Sequence, residues 1–166
     1  MNVDWLTSLD LARALFGGAL IVIVLVMALI DCCKMILPDW LNVILAATGL
    51  SQAVVIAKPG LIDAALGALF ALALMWTVAA LFRRYRGIDG LGFGDVKFSA
   101  AAGFWLGWEG VAPMLLVASC SALLFVVLAS WRQRKVERTA RLPFGPFLAF
   151  GTAVCWLLAA LPQSLA

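Results

Sequence analysis

Three aspartates stand at the edges of long apolar runs of this sequence. Asp31 closes the first run, in DCCKMILPDWLN, and Asp39 follows Pro38 at the start of the second. Asp95 lies in GLGFGDVKFS, residues 90–99, where the fourth run begins. We expect Asp39 to be a helix N-cap, a common role for aspartate. Asp31 is placed where a helix dipole disfavours negative charge, so it is a functional candidate.

Asp31 and Asp95 together could perform aspartyl hydrolysis if the fold brings them into one partly desolvated pocket. Two carboxylates a few ångströms apart would share one proton. The ionised one would take a proton from water, and the protonated one would polarise a peptide carbonyl. This chemistry requires no metal and no cofactor, and we predict neither. The chain has no histidine, which excludes a Ser-His-Asp triad and a Cys/His zinc site.

Gly92 and Gly94 flank Phe93 directly before Asp95. Glycine allows positive φ and close backbone approach, which would suit an unwound segment beside a bound peptide. The alternative is a flexible turn whose small residues only allow helices to pack.

Composition identifies the class of protein. The 166 residues are 65% hydrophobic and 13% charged, whereas a soluble domain is roughly half apolar and a quarter charged. Continuous apolar runs favour membrane-spanning helices over a β-barrel. We therefore predict an all-α, polytopic membrane protein that forms one domain over residues 1–166, with no role in nucleic-acid binding.

Six apolar segments predict six transmembrane helices, since about 20 residues cross a bilayer. They are Leu11–Ile30, Leu41–Ala57, Leu61–Phe82, Leu91–Trp108, Val111–Trp131 and Phe144–Leu161. The short connections at 58–60 and 109–110 predict antiparallel hairpins.

The basic residues predict the orientation. If both termini are outside, ten of the twelve lysines and arginines face the cytoplasm and only Arg13 and Lys58 lie outside. The ten are Lys34, Arg83, Arg84, Arg86, Lys97, Arg132, Arg134, Lys135, Arg138 and Arg141. Asp31 and Asp95 then lie on the cytoplasmic side of the membrane.

The fourth segment is too short without the glycine motif. Residues 98–108 would span only about 16 Å of a ~30 Å hydrocarbon core. The segment reaches spanning length only if GLGFGDVK is part of it. Asp95 would then lie inside the membrane boundary, which predicts a water-filled pocket around it.

Three motifs in one order resemble the type IV prepilin peptidase family. GLGFGDVKFSAAAGFWLGW is similar to its GxGD region, DCCKMILPDWLN to its first aspartate motif, which ends in Leu-Asn or Leu-Thr, and RLPFGPFLAFG to the PFGP segment before its last helix. The resemblance implies an intramembrane aspartyl endopeptidase of the inner membrane, acting in type IV pilus assembly or protein secretion. It would cleave prepilin-like precursors at the cytoplasmic face, after a glycine between the basic leader and the hydrophobic helix.

The same resemblance implies roles for individual residues. Asp31 and Asp95 would be the catalytic pair. Substrate-positioning motif residues would be Pro38, Asp39, Gly92, Gly94, Lys97, Pro143, Phe144, Gly145 and Pro146. Many family members carry CxxC pairs that are linked to N-methylation, and this sequence has none. The resemblance is therefore to short, peptidase-only members such as those serving Flp/Tad pili or preflagellins, with methyltransferase activity not expected.

Other functions fit some of these features. A presenilin-like protease shares GxGD, but it expects a PAL motif where this chain has LPFGP. A small ion- or proton-coupled transporter would use Asp31 and Asp95 for cations, although both acids are predicted near one face rather than at the midplane. A passive assembly subunit would keep the acids for structure alone.

Overall fold

A computed structural model describes residues 4–87, 92–132 and 143–160, which form five α-helices. The helices are α1 Asp4–Lys34, α2 Asp39–Val55, α3 Leu61–Arg86, α4 Phe93–Arg132 and α5 Gly145–Ala160. An all-α fold is thereby confirmed. Long apolar runs form helices because a helix satisfies every backbone polar group within its own segment.

Helix α4 is interrupted at Gly107, whose φ of 68° and ψ of 177° are not helical. Positive φ is available to glycine at little cost. The first segment of α4 is residues 93–106, and the second is residues 108–132. The predicted connection at 109–110 is therefore wrong by two to three residues, because Glu109 and Gly110 are already helical. Apolar residues on both sides of Gly107 hide the turn in the sequence.

The second segment of α4 folds back along α3. A Cβ at Gly107 would lie 3.0 Å from Pro59, just before α3 begins, whereas Phe93 contacts Trp76 edge to face farther along α3. Ser119 of the second segment lies beside Val78, again far along α3. The two segments are thus antiparallel, as expected for separate fourth and fifth apolar runs.

Side-chain contacts place the remaining helices. Asp31 of α1 meets Gly145 at the start of α5, and Gly17 packs against Trp156 near its end, so α1 and α5 are antiparallel. We call the end of the bundle that contains Asp31, Asp95 and Gly145 the aspartate end. The opposite end, which contains Gln52 and Trp156, is the glutamine end.

The core lies between α1, α2, α4 and α5. Its largest fully buried side chains are Trp105 and Phe98 of α4 with Leu20 and Met27 of α1. Helices α3 and α4 approach through backbone, since a Cβ on Gly67 would lie 2.6 Å from the Gly103 carbonyl oxygen. Small residues permit this close approach in membrane helices.

Three stretches are long and apolar enough to cross a membrane: Leu9–Lys34, Leu61–Tyr85 and Phe93–Trp131. Helices α2 and α5 are apolar but shorter, with 17 and 16 residues. Stretches of this length and composition are typical of a multi-pass membrane protein. The basic positions Lys34, Arg83, Arg84 and Lys97 fall at the aspartate end, whereas Arg13 and Lys58 fall at the glutamine end. Predictions on Gly90, Leu91, Arg134, Lys135, Arg138 and Arg141 lie outside the described residues.

Candidate active site

Asp31 is buried near the end of α1 with only 6% of its surface exposed. The Gly145 backbone N–H donates a hydrogen bond to its Oδ2 over 2.9 Å. Gly145 is the first residue of α5, where backbone N–H groups have no partner within the helix and the dipole favours negative charge. Asp31 therefore caps α5 from another helix, which explains its unfavourable position at the end of α1.

Only glycine fits at position 145. A Cβ there would lie 2.7 Å from Oδ2 of Asp31 and 3.0 Å from its Cγ. Pro143 and Phe144 precede the helix, and Pro146 is its second residue. The Phe144 carbonyl accepts the N–H groups of Phe147 and Leu148, each at 3.1 Å. The predicted third motif thus forms the first turn of α5 and holds the partner of Asp31.

Asp95 lies in the first turn of α4 and is 8% exposed. Its backbone N–H donates to the Gly92 carbonyl at 3.0 Å, and a Cβ at Gly92 would lie 3.1 Å from its Oδ2. A Cβ at Gly94 would lie 2.9 Å from Leu37 Cβ, just before α2. Both glycines therefore permit close packing around the carboxylate.

Neither Gly92 nor Gly94 has positive φ, so that part of the prediction is wrong. Gly94 belongs to α4, which begins at Phe93, and the backbone at Asp95 is helical rather than unwound. The alternative interpretation, small residues for helix packing, describes Gly94 correctly. The helix dipole also explains the arrangement, because it favours a carboxylate in the first turn.

Asp31 and Asp95 occupy the same end of the bundle but different helices. The two carboxylates are close enough for the charge of Asp31 to act on Asp95. The backbones of the two helices stay apart, since no Cα atom described in α1 lies within 8 Å of a Cα atom described in α4. Two buried carboxylates that interact at one end of a bundle suit general acid–base hydrolysis.

Asp39 is not the N-cap of α2, so that expectation is wrong. Pro38 holds the cap position, with φ −65° and ψ 133° and no side-chain cap hydrogen bond. Asp39 Oδ1 instead accepts a hydrogen bond from Lys97 Nζ at 2.7 Å, and that ammonium lies 5.0 Å from the centre of the Phe93 ring. The two predicted motifs are thereby joined across α2 and α4.

A groove beside Asp95 escaped the sequence analysis. It has a volume of about 350 Å³ between α3 and α4, and Trp76, Phe93, Val96 and Arg83 line it. Phe93 belongs to the GxGD stretch and could have been singled out. Trp76 could not, because it stands in an apolar run like any lipid-facing residue. Asn42 and Ser99 end two of the quoted motif stretches, but no role of their own was predicted for them from the sequence; both are buried polar residues.

Comparisons with known proteins find relatives of this chain. The model of the type IV leader peptidase family matches residues 18–127. A prepilin leader peptidase/N-methyltransferase of Burkholderia pseudomallei (strain 1026b) is 39% identical over 142 residues, which cover 86% of this chain and 45% of the relative. Proteins of the same name from Pectobacterium carotovorum and Pseudomonas aeruginosa are 38% and 35% identical, covering 89% and 84% of this chain and 51% and 50% of theirs.

The chain thus spans about half the length of the curated relatives it matches. No solved structure shows a significant match to it.

Proposed function

Because the chain belongs to the type IV leader peptidase family, we propose that it cleaves the basic leader from prepilin-like precursors with Asp31 and Asp95 as catalytic residues. The bond would be the one between a glycine and the hydrophobic helix. The observation that carries the proposal is the pair of buried carboxylates on separate helices at one end of the bundle. The family is a peptidase family, and no other pair of acids in the described residues is buried.

The reaction follows from one shared proton. The ionised carboxylate takes a proton from water, whose oxygen bonds to the scissile carbonyl carbon, while the protonated carboxylate gives its proton to the carbonyl oxygen. The resulting diol collapses: the C–N bond breaks and the first carboxylate returns its proton to the leaving nitrogen. The second carboxylate recovers a proton from the diol hydroxyl, so the pair ends as it began.

The motif residues would position this pair. Gly145 anchors Asp31 through its N–H, and Gly92 and Gly94 allow Asp95 to lie close to its neighbours. Pro38 starts α2, so that Asp39 meets Lys97. In the third motif, Pro143, Phe144 and Pro146 shape the turn that presents Gly145.

We further propose six membrane crossings, counting the two segments of α4 separately, with both termini outside and the aspartate end facing the cytoplasm. The distribution of basic residues supports this orientation. The membrane would be the cytoplasmic (inner) membrane. Flp/Tad-type pilins are the substrate class we favour, and the absence of methyl transfer stays a prediction.

The test is co-expression of the chain with a prepilin-like substrate. We expect Asp31→Asn and Asp95→Asn each to reduce leader cleavage by about 10⁴-fold, as expected when a group that transfers protons is lost. Asp63→Asn is the matched control, because Asp63 is an exposed acid at the glutamine end. Full processing by either of the first two variants would refute the mechanism.

Two further measurements separate the alternatives. Ion flux that depends on Asp31 and Asp95, without any cleavage, would establish the transporter instead. The mass of the new N-terminus reports directly whether a methyl group has been added.

A further inference from the structure

Ser99 carries a buried hydroxyl that differs from six other helix hydroxyls among the described residues. Six of those donate to a carbonyl three or four residues earlier in their own helix: Thr48, Ser51, Thr77, Ser121, Ser130 and Thr152. The Ser99 side chain is fully buried, and its Oγ has no hydrogen-bond partner among the described residues. Its hydroxyl is therefore left available to something other than its own helix.

Asn42 has the same property on the neighbouring helix. It is 5% exposed, on the face of α2 that includes Leu41 and Leu45, and neither its Nδ2 nor its Oδ1 has a partner among the described residues. A buried polar atom without a partner costs about 1–3 kcal/mol. An apolar residue would avoid that cost in a chain that is 65% hydrophobic.

The helix register places Asn42 and Ser99 within one helical turn of each other, and we call this part of the bundle their level. Helix α2 runs parallel to the first segment of α4, with Asp39 bonded to Lys97 and the Leu45 carbonyl bonded to Trp105 Nε1. Asn42 lies midway between the first and second contacts along α2, and Ser99 lies between them along α4. The only three buried side-chain N and O atoms that lack a partner in the described residues thus belong to this level.

This level is one helical turn inside Asp95. Residues i and i+4 share a helix face, so Ser99 lies directly below Asp95 on α4. The equivalent residue below Asp31 on α1 is Met27, which is fully buried and apolar. The polar site therefore adjoins Asp95 rather than Asp31.

We propose that Asn42 and Ser99 hold a water molecule beneath Asp95 and that this site supplies the water hydrolysed with the peptide bond. Only the second part of this proposal, that the water is consumed in hydrolysis, rests on the proposed function. A buried water makes about three hydrogen bonds to otherwise unsatisfied groups, and a hydroxyl, an amide and a carboxylate provide them. Asn42 and Ser99 are then positioning residues, acting on the reaction through the water.

A structure of the full chain at a resolution that shows water tests the site without any activity. We expect an ordered water within hydrogen-bond distance of Ser99 Oγ and an Asn42 side-chain atom, and its loss in Ser99→Ala. A structure in which those atoms bond directly to each other, or in which the level is dry, overturns the inference.

Kinetics with purified protein and a prepilin-like substrate test the role. Ser99→Ala should lower kcat by up to about 100-fold, the scale of a small misplacement of reactants, with KM unchanged. Ser121→Ala is the control, because that hydroxyl on the same helix bonds to the Ala118 carbonyl. Asn42→Thr places a hydroxyl at this position and should keep most of kcat. Asn42→Val, whose side chain has the shape of threonine but no hydroxyl, should lose it.

The two proposals fail in different ways. If leaders are cleaved and both Ser99→Ala and Asn42→Val keep the kcat of the unmodified protein, the water role is wrong and the proposed function stands. If the ordered water is present but no prepilin is cleaved, the site stands and the proposed function is wrong.

Discussion

The two ends of the bundle both bury polar side chains, but they treat them differently. At the glutamine end, Gln52 Nε2 donates to the carbonyls of Lys58 and Trp105 at 3.2 and 3.5 Å, and Gln52 Oε1 accepts Trp156 Nε1 at 2.9 Å. At the aspartate end, Asn42 and Ser99 have no partner in the described residues. A saturated polar network fixes helices in place, whereas an unsaturated one indicates a site that another molecule completes.

The two ends of the bundle also differ in the charge that they bury. The glutamine-end network is neutral, because its members are one amide, one indole and two backbone carbonyls. The aspartate end buries two carboxylates, and it supports Asp31 with a single backbone N–H. Burying like charges is costly, and it is reasonable only where the cost serves a reaction. Substitutions at the two ends should therefore affect different measurements.

Gly145→Ala should give the largest effect of the substitutions that leave both acids in place. A Cβ would lie 2.7 Å from Asp31 Oδ2, so the hydrogen bond from residue 145 must lengthen or break. We expect leader cleavage to fall by about 100-fold, the effect of removing one backbone-type donor from a charged centre. The rate of cleavage by purified protein is the measurement.

Gly18→Ala is the matched control for Gly145→Ala, because nothing lies within 4 Å of a Cβ at position 18. Its activity should stay unchanged, and its helix should gain up to about 1 kcal/mol. If Gly145→Ala cleaves as fast as Gly18→Ala, Asp31 does not depend on the start of α5.

Gln52→Leu should have the opposite effect, on stability rather than on rate. The substitution keeps the size of the side chain but leaves the Trp156 N–H without its acceptor and two carbonyls without their donor. We expect the free energy of unfolding to fall by about 1–3 kcal/mol. Thermal unfolding in detergent, followed by tryptophan fluorescence, measures it.

The neighbouring Ser51→Ala is the control for Gln52→Leu, since its exposed hydroxyl bonds only to the Ala47 carbonyl. At a temperature where it is folded, Gln52→Leu should retain the kcat of the unmodified protein. A large loss of kcat in the folded variant would show that the two ends are not independent.

The sequence predicted the helices well because apolar run length alone determines where a membrane helix forms. The sequence also placed Asp31 and Asp95 at one end of the bundle, because two predicted crossings, an even number, lie between them. It missed the turn at Gly107, because a backbone angle at one glycine leaves no trace in hydropathy, and Glu109-Gly110 resembled a turn more closely. Sequence patterns could not predict contacts between residues far apart in the chain, such as Asp31 and Gly145, which are separated by 114 residues.

Asp39 illustrates the same limit. A residue after proline at a helix start has the local signature of an N-cap. Its actual partner, Lys97, lies 58 residues away and is reached only when α2 and α4 pack in parallel. Local propensity therefore predicted a role that tertiary packing replaced with another.

The Asp39–Lys97 pair should give the smallest effect, and it tests whether the aspartate end extends to the surface. The Asp39 side chain is 71% exposed, and such pairs contribute at most about 1 kcal/mol. We expect Asp39→Ala and Lys97→Ala each to slow cleavage no more than about fivefold, by loosening the contact between α2 and α4 two residues from Asp95. The reversed pair, Asp39→Lys with Lys97→Asp, should recover most of the rate.

Arg13→Ala is the control for this pair, because it breaks the exposed Asp10–Arg13 pair within α1 and should change nothing. If Asp39→Ala abolished cleavage as completely as Asp95→Asn, Asp39 would belong to the chemistry itself. The boundary of the active site would then include the surface of α2, since an exposed ion pair alone has too little energy to produce such a loss.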